Sequence, residues 1–319
     1  MPASTGLGGT VAGLWEAHQR YGRLPWHDVI EPAVQLAQGG FQVPPLLAER
    51  ATAEQPRFER TNFTQYFSGL RNGAWFRQPE LAATLKRIQS SGPGAFYEGQ
   101  TADLIVREMQ RGGGLITSQD LSTYRAVWRV PLRSTWRDQT LLSSPPPSSG
   151  GFALLQFLGM KGARAVDFEG MAHNSPQYVH LVAEIAKRVY ADRAEYAGDP
   201  AFVEVPIARL MDDCSAKAGV PNAYGMLGGS ANAIQPGKRM LSSMSPTILL
   251  DRDGRVALVV GSMGGSTIIT GVFQVLVDFV DFRMTGRSAT CSSSFALRQA
   301  GMPRPTRAAA ARCAGCRET

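Results

Sequence analysis

The chain has 319 residues, 44% of them hydrophobic, enough to bury a sizeable core in one large or two ordinary domains, which excludes a wholly disordered polymer. Its net charge of +7 would suggest a nucleic-acid surface if it were spread over the fold. Arg283 to Thr319 holds seven Arg and one Glu, however, so six of the seven positive charges lie there and the body is nearly neutral.

Met1 to Gly6 has neither a basic start nor an apolar core, and no apolar run is long enough to span a bilayer; as written, the chain is expected to stay in the cytoplasm. Thr10–Tyr21 is predicted to be a helix with Val11, Leu14 and Trp15 on one face, followed by helices over His27–Ala37, Pro45–Ala53, Glu80–Ser90 and Gln100–Arg111. His18 and His27 receive no role. Gly112–Gly114 ends the last of these helices, and Ser118 and Asp120 can cap a short turn. Ala126–Thr135 and Gln139–Ser143 read as strands. Pro145–Pro147 forces an extended segment, because proline fixes φ and lacks an N–H.

Ser148–Gly151 then leads into an apolar helix over Phe152–Leu158, as an anion-binding turn or, the favoured alternative, a packing turn. Ser175 and Pro176 start a helix that runs to Tyr196 with Val179, Val182, Ile185, Ala186 and Val189 in one stripe. His173 and His180 are read as structural, and Asp192, Arg193 and Glu195 as local ion-pairing residues. Ala218–Gly225 has the composition of a glycine-rich loop. Thr247–Asp251 and Arg255–Val260 form a predicted hairpin across Asp253-Gly254. Gly261–Ser266 follows, and Ile268, Ile269, Val272, Phe273, Leu276, Phe279 and Val280 recur as one helix face, with Ser266 as its cap. A Gly-Gly pair between a strand and a helix can offer free N–H groups to an oxyanion or phosphate, or can be a tight turn without a ligand.

Cys214, Cys291, Cys313 and Cys316 are too few and too clustered for a disulfide framework, and Cys313-Ala-Gly-Cys316 lacks the second pair or histidine that a zinc site needs.

Leu241–Thr247 (LSSMSPT) and Gly261–Ser266 (GSMGGS) together resemble the small-subunit signature of the gamma-glutamyltransferases, the gamma-glutamyltranspeptidases or glutathione hydrolases of the N-terminal nucleophile (Ntn) class. The resemblance continues through GTVAG at 9–13, PAVQLAQGGF at 32–41, GPGAFYEG at 92–99, GGLITSQDL at 113–121, PPPSSGG at 145–151, YADRAEYAGDPAFV at 190–203 and SAKAGVPNAYGMLGG at 215–229, in the family's order and over roughly residues 6 to 282. It implies an α/β fold, the Ntn hydrolase four-layer α/β/β/α sandwich, here incomplete. The implied reaction cleaves a gamma-glutamyl amide such as glutathione and transfers the acyl group to water or an amino acid. No cofactor or metal is implied, and the partner is a small molecule, with no specific nucleic acid and no membrane. Family members are usually periplasmic or extracellular.

Carried over by resemblance, Asp213 holds the substrate's alpha-amino group, Ser242 and Ser243 hold its alpha-carboxylate, Gly264 and Gly265 form the oxyanion hole, and Tyr224 is the aromatic gate of a lid. By the same resemblance, residues 1–209 are large-subunit-like and mainly helical, residues 210–282 are small-subunit-like, and residues 283–319 are a basic tail expected to be disordered.

The family's nucleophile is a threonine freed by self-cleavage, and the segment that carries it belongs before Met211. Here Val205–Leu210 runs directly into Met211–Lys217. Thr247, Thr267 and Thr270 are internal and have no free amine to act as base. The family's carboxylate-binding arginine belongs to a region preceding residue 1, and Leu210 stands where the family has glutamine. The chain as written is therefore expected to be truncated at its start and inactive; the alternatives are a non-catalytic binder of gamma-glutamyl amino acids or a non-functional gene remnant.

Overall fold

The computed structural model describes residues 8–58, 62–211, 229–233, 235–286, 288 and 289. They divide into two packing units after Trp128.

The first unit is helical, and most of its helices are bounded by proline at the start or glycine at the end. These are α1 (Thr10–Tyr21), α2 (Trp26–Gly39), α3 (Pro45–Glu54), α4 (Phe63–Phe67), α5 (Pro79–Ser91), α6 (Gly94–Tyr97), α7 (Gly99–Gly112) and α8 (Ser118–Thr123), with a short antiparallel ribbon of β1 (Phe41–Gln42) and β2 (Trp75–Phe76). Pro45 and Pro79 occupy first helical positions, where a missing N–H costs nothing. The α2 and α5 helices are joined by the Trp26 indole N–H, which donates to the Ile88 carbonyl at 3.0 Å, and by the Gln89 amide, which donates to Glu31 at 2.7 Å. Two sequence expectations change here. Of the apolar face drawn on α1, Val11 packs against the buried Tyr97, Ala102 and Leu121 cluster and Trp15 meets Trp26 edge to face at 5.0 Å, but Leu14 is 59% exposed and leaves that face. The cap of α8 is Thr117, not Ser118: its hydroxyl accepts from the Asp120 N–H while the Asp120 carboxylate accepts from the Thr117 N–H, a reciprocal capping box.

The second unit carries β3 (Leu132–Trp136), β4 (Gln139–Ser143), α9 (Gly150–Ala163), α10 (Ala165–Phe168), α11 (Pro176–Tyr196), α12 (Ile207–Met211), β5 (Thr247–Leu250), β6 (Val256–Val260) and α13 (Ile268–Val280). The strands form one antiparallel sheet in the order β3-β4-β5-β6. Helix α9 packs against β3, β4, α11, α12 and α13, and Phe152, Leu154, Phe157 and Leu158 are all buried. A helix apolar on every side belongs inside a core. On the sheet face turned away from Leu141 and Leu249, both fully buried, Leu142, Ile248 and Val259 stand in one row across β4, β5 and β6, and Val259 is 68% exposed.

The strand predicted from Ala126 begins only at Leu132, because Pro131 lacks the N–H a ladder requires; Val130, just before it, is 85% exposed. In α11 the buried stripe passes through Tyr178 in place of Val179, which is exposed. The cap position of α13 falls one residue beyond the expected Ser266. A single 3-10 turn over Gly265–Thr267 precedes that helix, Thr267 holds the cap position, and its hydroxyl donates to the Gly264 carbonyl at 3.0 Å without capping the helix.

The division expected at 209/210 is drawn from the family resemblance; packing joins both sides of that point, since β3 and β4 precede it, β5 and β6 follow it, and all four share one sheet. Packing also continues past Phe282. The Met284 N–H donates to the Asp278 carbonyl at 2.9 Å, and Ala289 is fully buried.

Candidate active site

Register places the candidate residues. Ser143 pairs with Thr247 and Thr247 with Val260, so β4 ends, β5 begins and β6 ends at the same edge of the sheet. Three segments emerge there together: the proline-serine-glycine turn at 144–150, the serine loop at 241–246 and the glycine loop at 261–265.

The first two segments are locked together. Ser149 sends both its N–H (2.9 Å) and its hydroxyl (2.7 Å) to the Ser242 carbonyl, and the Ser242 N–H donates to the Pro147 carbonyl at 3.1 Å. The hydroxyls of Ser144 and Ser148 both donate to the Met244 carbonyl, at 2.9 and 2.6 Å. A Cβ on Gly150 would stand 2.2 Å from the Met244 carbonyl oxygen, and one on Gly151 would stand 2.0 Å from that of Ser144. The two glycines therefore permit close backbone approach at the head of α9, and this turn packs the serine loop.

Ser242 and Ser243, assigned by sequence to a carboxylate, sit at this junction. The Ser242 hydroxyl accepts from the Met244 N–H at 3.0 Å. Ser243 is reached from α11: the Arg193 guanidinium donates to its hydroxyl at 3.1 Å and to that of Ser149 at 2.8 Å. Arg193 is 5% exposed, and burial pushes its pKa down to about 10, with Tyr190 partly opposing the shift. Among the described residues no carboxylate lies within ion-pair distance of it. The sequence reading missed Arg193 and Ser149. One signal was available: Ile185, Val189 and Arg193 recur every four residues, so the charge falls on the buried stripe of α11.

Gly264 and Gly265 adopt φ of 132° and 59°, left-handed backbone that favours glycine. Both are exposed, and among the described residues neither N–H meets an acceptor. Asp213 and Tyr224 lie outside the described residues, as do Cys214, Cys291, Cys313 and Cys316. Leu210, where the resemblance expects glutamine, is buried in the core at 3% exposure. His173 is structural, with Nε2 2.8 Å from the buried Asp278 carboxylate. A separate cleft lined by Arg137, Asp138, Asp251, Arg252 and Asp281 lies at the hairpin-turn end of the sheet, opposite these loops. Among the described residues no cluster of metal-ligating side chains occurs, and no helix is long and apolar enough to cross a membrane.

The family model described as gamma-glutamyltranspeptidase matches residues 2–218 and 209–300. The chain belongs to the gamma-glutamyltranspeptidase family. It is 44% identical over 354 residues to a glutathione hydrolase proenzyme of Pseudomonas aeruginosa, a match covering 88% of this chain and 63% of that relative. It is 51% identical, with a TM-score of 0.62, to the solved structure of the gamma-glutamyltranspeptidase from Pseudomonas nitroreducens complexed with L-DON, over 64% of this chain and 61% of that one. A cephalosporin acylase from Bacillus halodurans, 22% identical with a TM-score of 0.70 over 86% of this chain and 62% of its own, shares the fold. The fold class is thus the α/β fold of the Ntn hydrolases.

The chain spans less than two thirds of the length of the curated relatives it matches first. The alignment of 354 residues exceeds the 319 present, so it includes positions of the relative with no counterpart here. The two family matches meet and overlap at 209–218, where the run from Leu210 into Met211 was singled out in the sequence. The second match runs to residue 300, beyond Phe282, where the motif resemblance ends.

Proposed function

We propose that this chain retains the recognition half of a gamma-glutamyl site without the group that attacks. The family reaction is acyl transfer from a gamma-glutamyl amide such as glutathione to water or an amino acid, without a metal or organic cofactor. Named relatives that are glutathione hydrolases support this substrate class. In this reading Ser242 and Ser243 donate to the alpha-carboxylate, Asp213 takes the alpha-ammonium, the N–H groups of Gly264 and Gly265 face the carbonyl oxygen where negative charge develops, and Tyr224 closes a lid. The observation that carries it is the convergence of the anchored serine loop and the positive-φ glycine pair at one end of the sheet.

Magnitude argues against turnover. Losing one oxyanion donor costs about 10² to 10³ in rate, whereas losing the nucleophile of such a constellation costs on the order of 10⁶. Intact glycine donors cannot make up that difference.

The test is a denaturing gel beside a gamma-glutamyl-anilide assay, with calorimetry of glutathione on the intact chain and on Asp213→Ala. One band, no released aniline and a binding heat that Asp213→Ala diminishes are expected. Two fragments with released aniline would sink the inactive reading, and equal heats from both proteins would remove recognition.

A further inference from the structure

Among the described residues, Arg193 is a buried guanidinium whose partners are two neutral hydroxyls. Burying a cation without a counter-charge is costly, so an anion near its hydrogen-bond network would be favoured there. The network also sets the direction of the hydroxyl protons. A serine hydroxyl has one hydrogen and two lone pairs. Ser149 accepts from Arg193 and gives its hydrogen to the Ser242 carbonyl, which fixes the serine loop. Ser243 also accepts from Arg193, so its own hydrogen must point away from the guanidinium, and among the described residues it meets no acceptor. A hydroxyl donor turned away from a guanidinium that holds its oxygen suits a carboxylate better than a neutral amide.

We infer that Arg193 is the positioning residue that makes Ser243 a carboxylate donor, and so gives this site its preference for an alpha-carboxylate over an alpha-carboxamide. This rests on the gamma-glutamyl reading above. Arg193 is not a catalytic residue: it acts through Ser243 and Ser149.

The experiment is calorimetry of the full chain with L-glutamate and with L-isoglutamine, whose alpha-carboxylate is replaced by a neutral carboxamide. Wild type, Asp213→Ala, Arg193→Met and Arg193→Lys are compared, each with a thermal melt. Arg193→Met is expected to weaken L-glutamate about 10-fold or more while leaving L-isoglutamine unchanged, because the lost bond is charge-assisted. Arg193→Lys should fall between, since it keeps the charge but loses the fork that reaches two hydroxyls. Asp213→Ala should weaken both ligands. If the Met variant does not melt cooperatively, the Lys variant and Ser243→Ala carry the same comparison. A folded Arg193 variant that lowers Tm but leaves the ratio of the two affinities unchanged, while Asp213→Ala still weakens both, would overturn the inference and leave the gamma-glutamyl reading standing. Heats indistinguishable between wild type and Asp213→Ala would overturn both.

Discussion

At the scale of single residues, glycines on one helix make opposite demands. A Cβ on Gly151 would lie 2.0 Å from the Ser144 carbonyl oxygen, and that oxygen is backbone, which cannot swing aside. Gly162, near the other end of α9, is exposed and has nothing within 4 Å of an added Cβ. Gly151→Ala should therefore destabilise by about 1 to 3 kcal/mol through overpacking, while Gly162→Ala should stabilise by about 0.5 to 1 kcal/mol by removing helix-opposing backbone entropy. Urea melts of the two variants check both signs, and a neutral Gly151→Ala would show that the turn can relax. The sequence marked the Gly-Gly turn before α9, but only the distance to Ser144 shows that it packs tightly.

At the scale of elements, α8 is too short to hold itself without its cap. The Asp120 carboxyl is held below its ordinary value of 3.8 by hydrogen bonds from the Thr117 hydroxyl and N–H. A carboxyl whose folded value is depressed adds stability above its unfolded value, and that stability is lost as pH falls through the lower folded value. Thr117→Ala should cost about 0.5 to 2 kcal/mol at neutral pH. The difference between wild type and Asp120→Asn should be full above about pH 4 and vanish in stronger acid. Thermal melts across that range test this, and a pH-independent difference would contradict it. The reciprocal pair is half legible in the sequence: the pattern points to Asp120 and to Ser118 as caps, whereas the structure puts Thr117 at the cap, because both hydroxyl residues fit the pattern and only backbone dihedrals separate them.

At the scale of the whole molecule, the sheet of the second unit has helices on one face and a row of Leu142, Ile248 and Val259 on the other. Strand β6 ends the strand order, so its outer backbone groups have no ladder partner among the described residues. An exposed apolar edge of this kind promotes self-association. Sedimentation should show a concentration-dependent rise in mass for wild type, and Val259→Lys should suppress it while changing stability by only about 0.5 kcal/mol, as expected for an exposed position. A wild-type chain that stays monomeric with a sharp cooperative melt would refute the edge argument. The basic tail expected from Arg283 begins no earlier than residue 290, because Ala289 is buried and Met284 bonds back to α13.

The sequence by itself determined the family, the Thr247–Val260 hairpin, the glycine loop and the serine pair. Each is written in adjacent residues, where turn chemistry and side-chain period act over a few positions. What only the tertiary structure decided is which of those segments meet. Ser143 and Thr247 share a hydrogen bond 104 residues apart, and Arg193 reaches Ser149 and Ser243 across 44 and 50 residues. No local pattern encodes such pairings, because they follow from packing the sheet and α11 onto α9, and that packing carries a charge read locally as an ion-pairing residue into the interior, behind the serines.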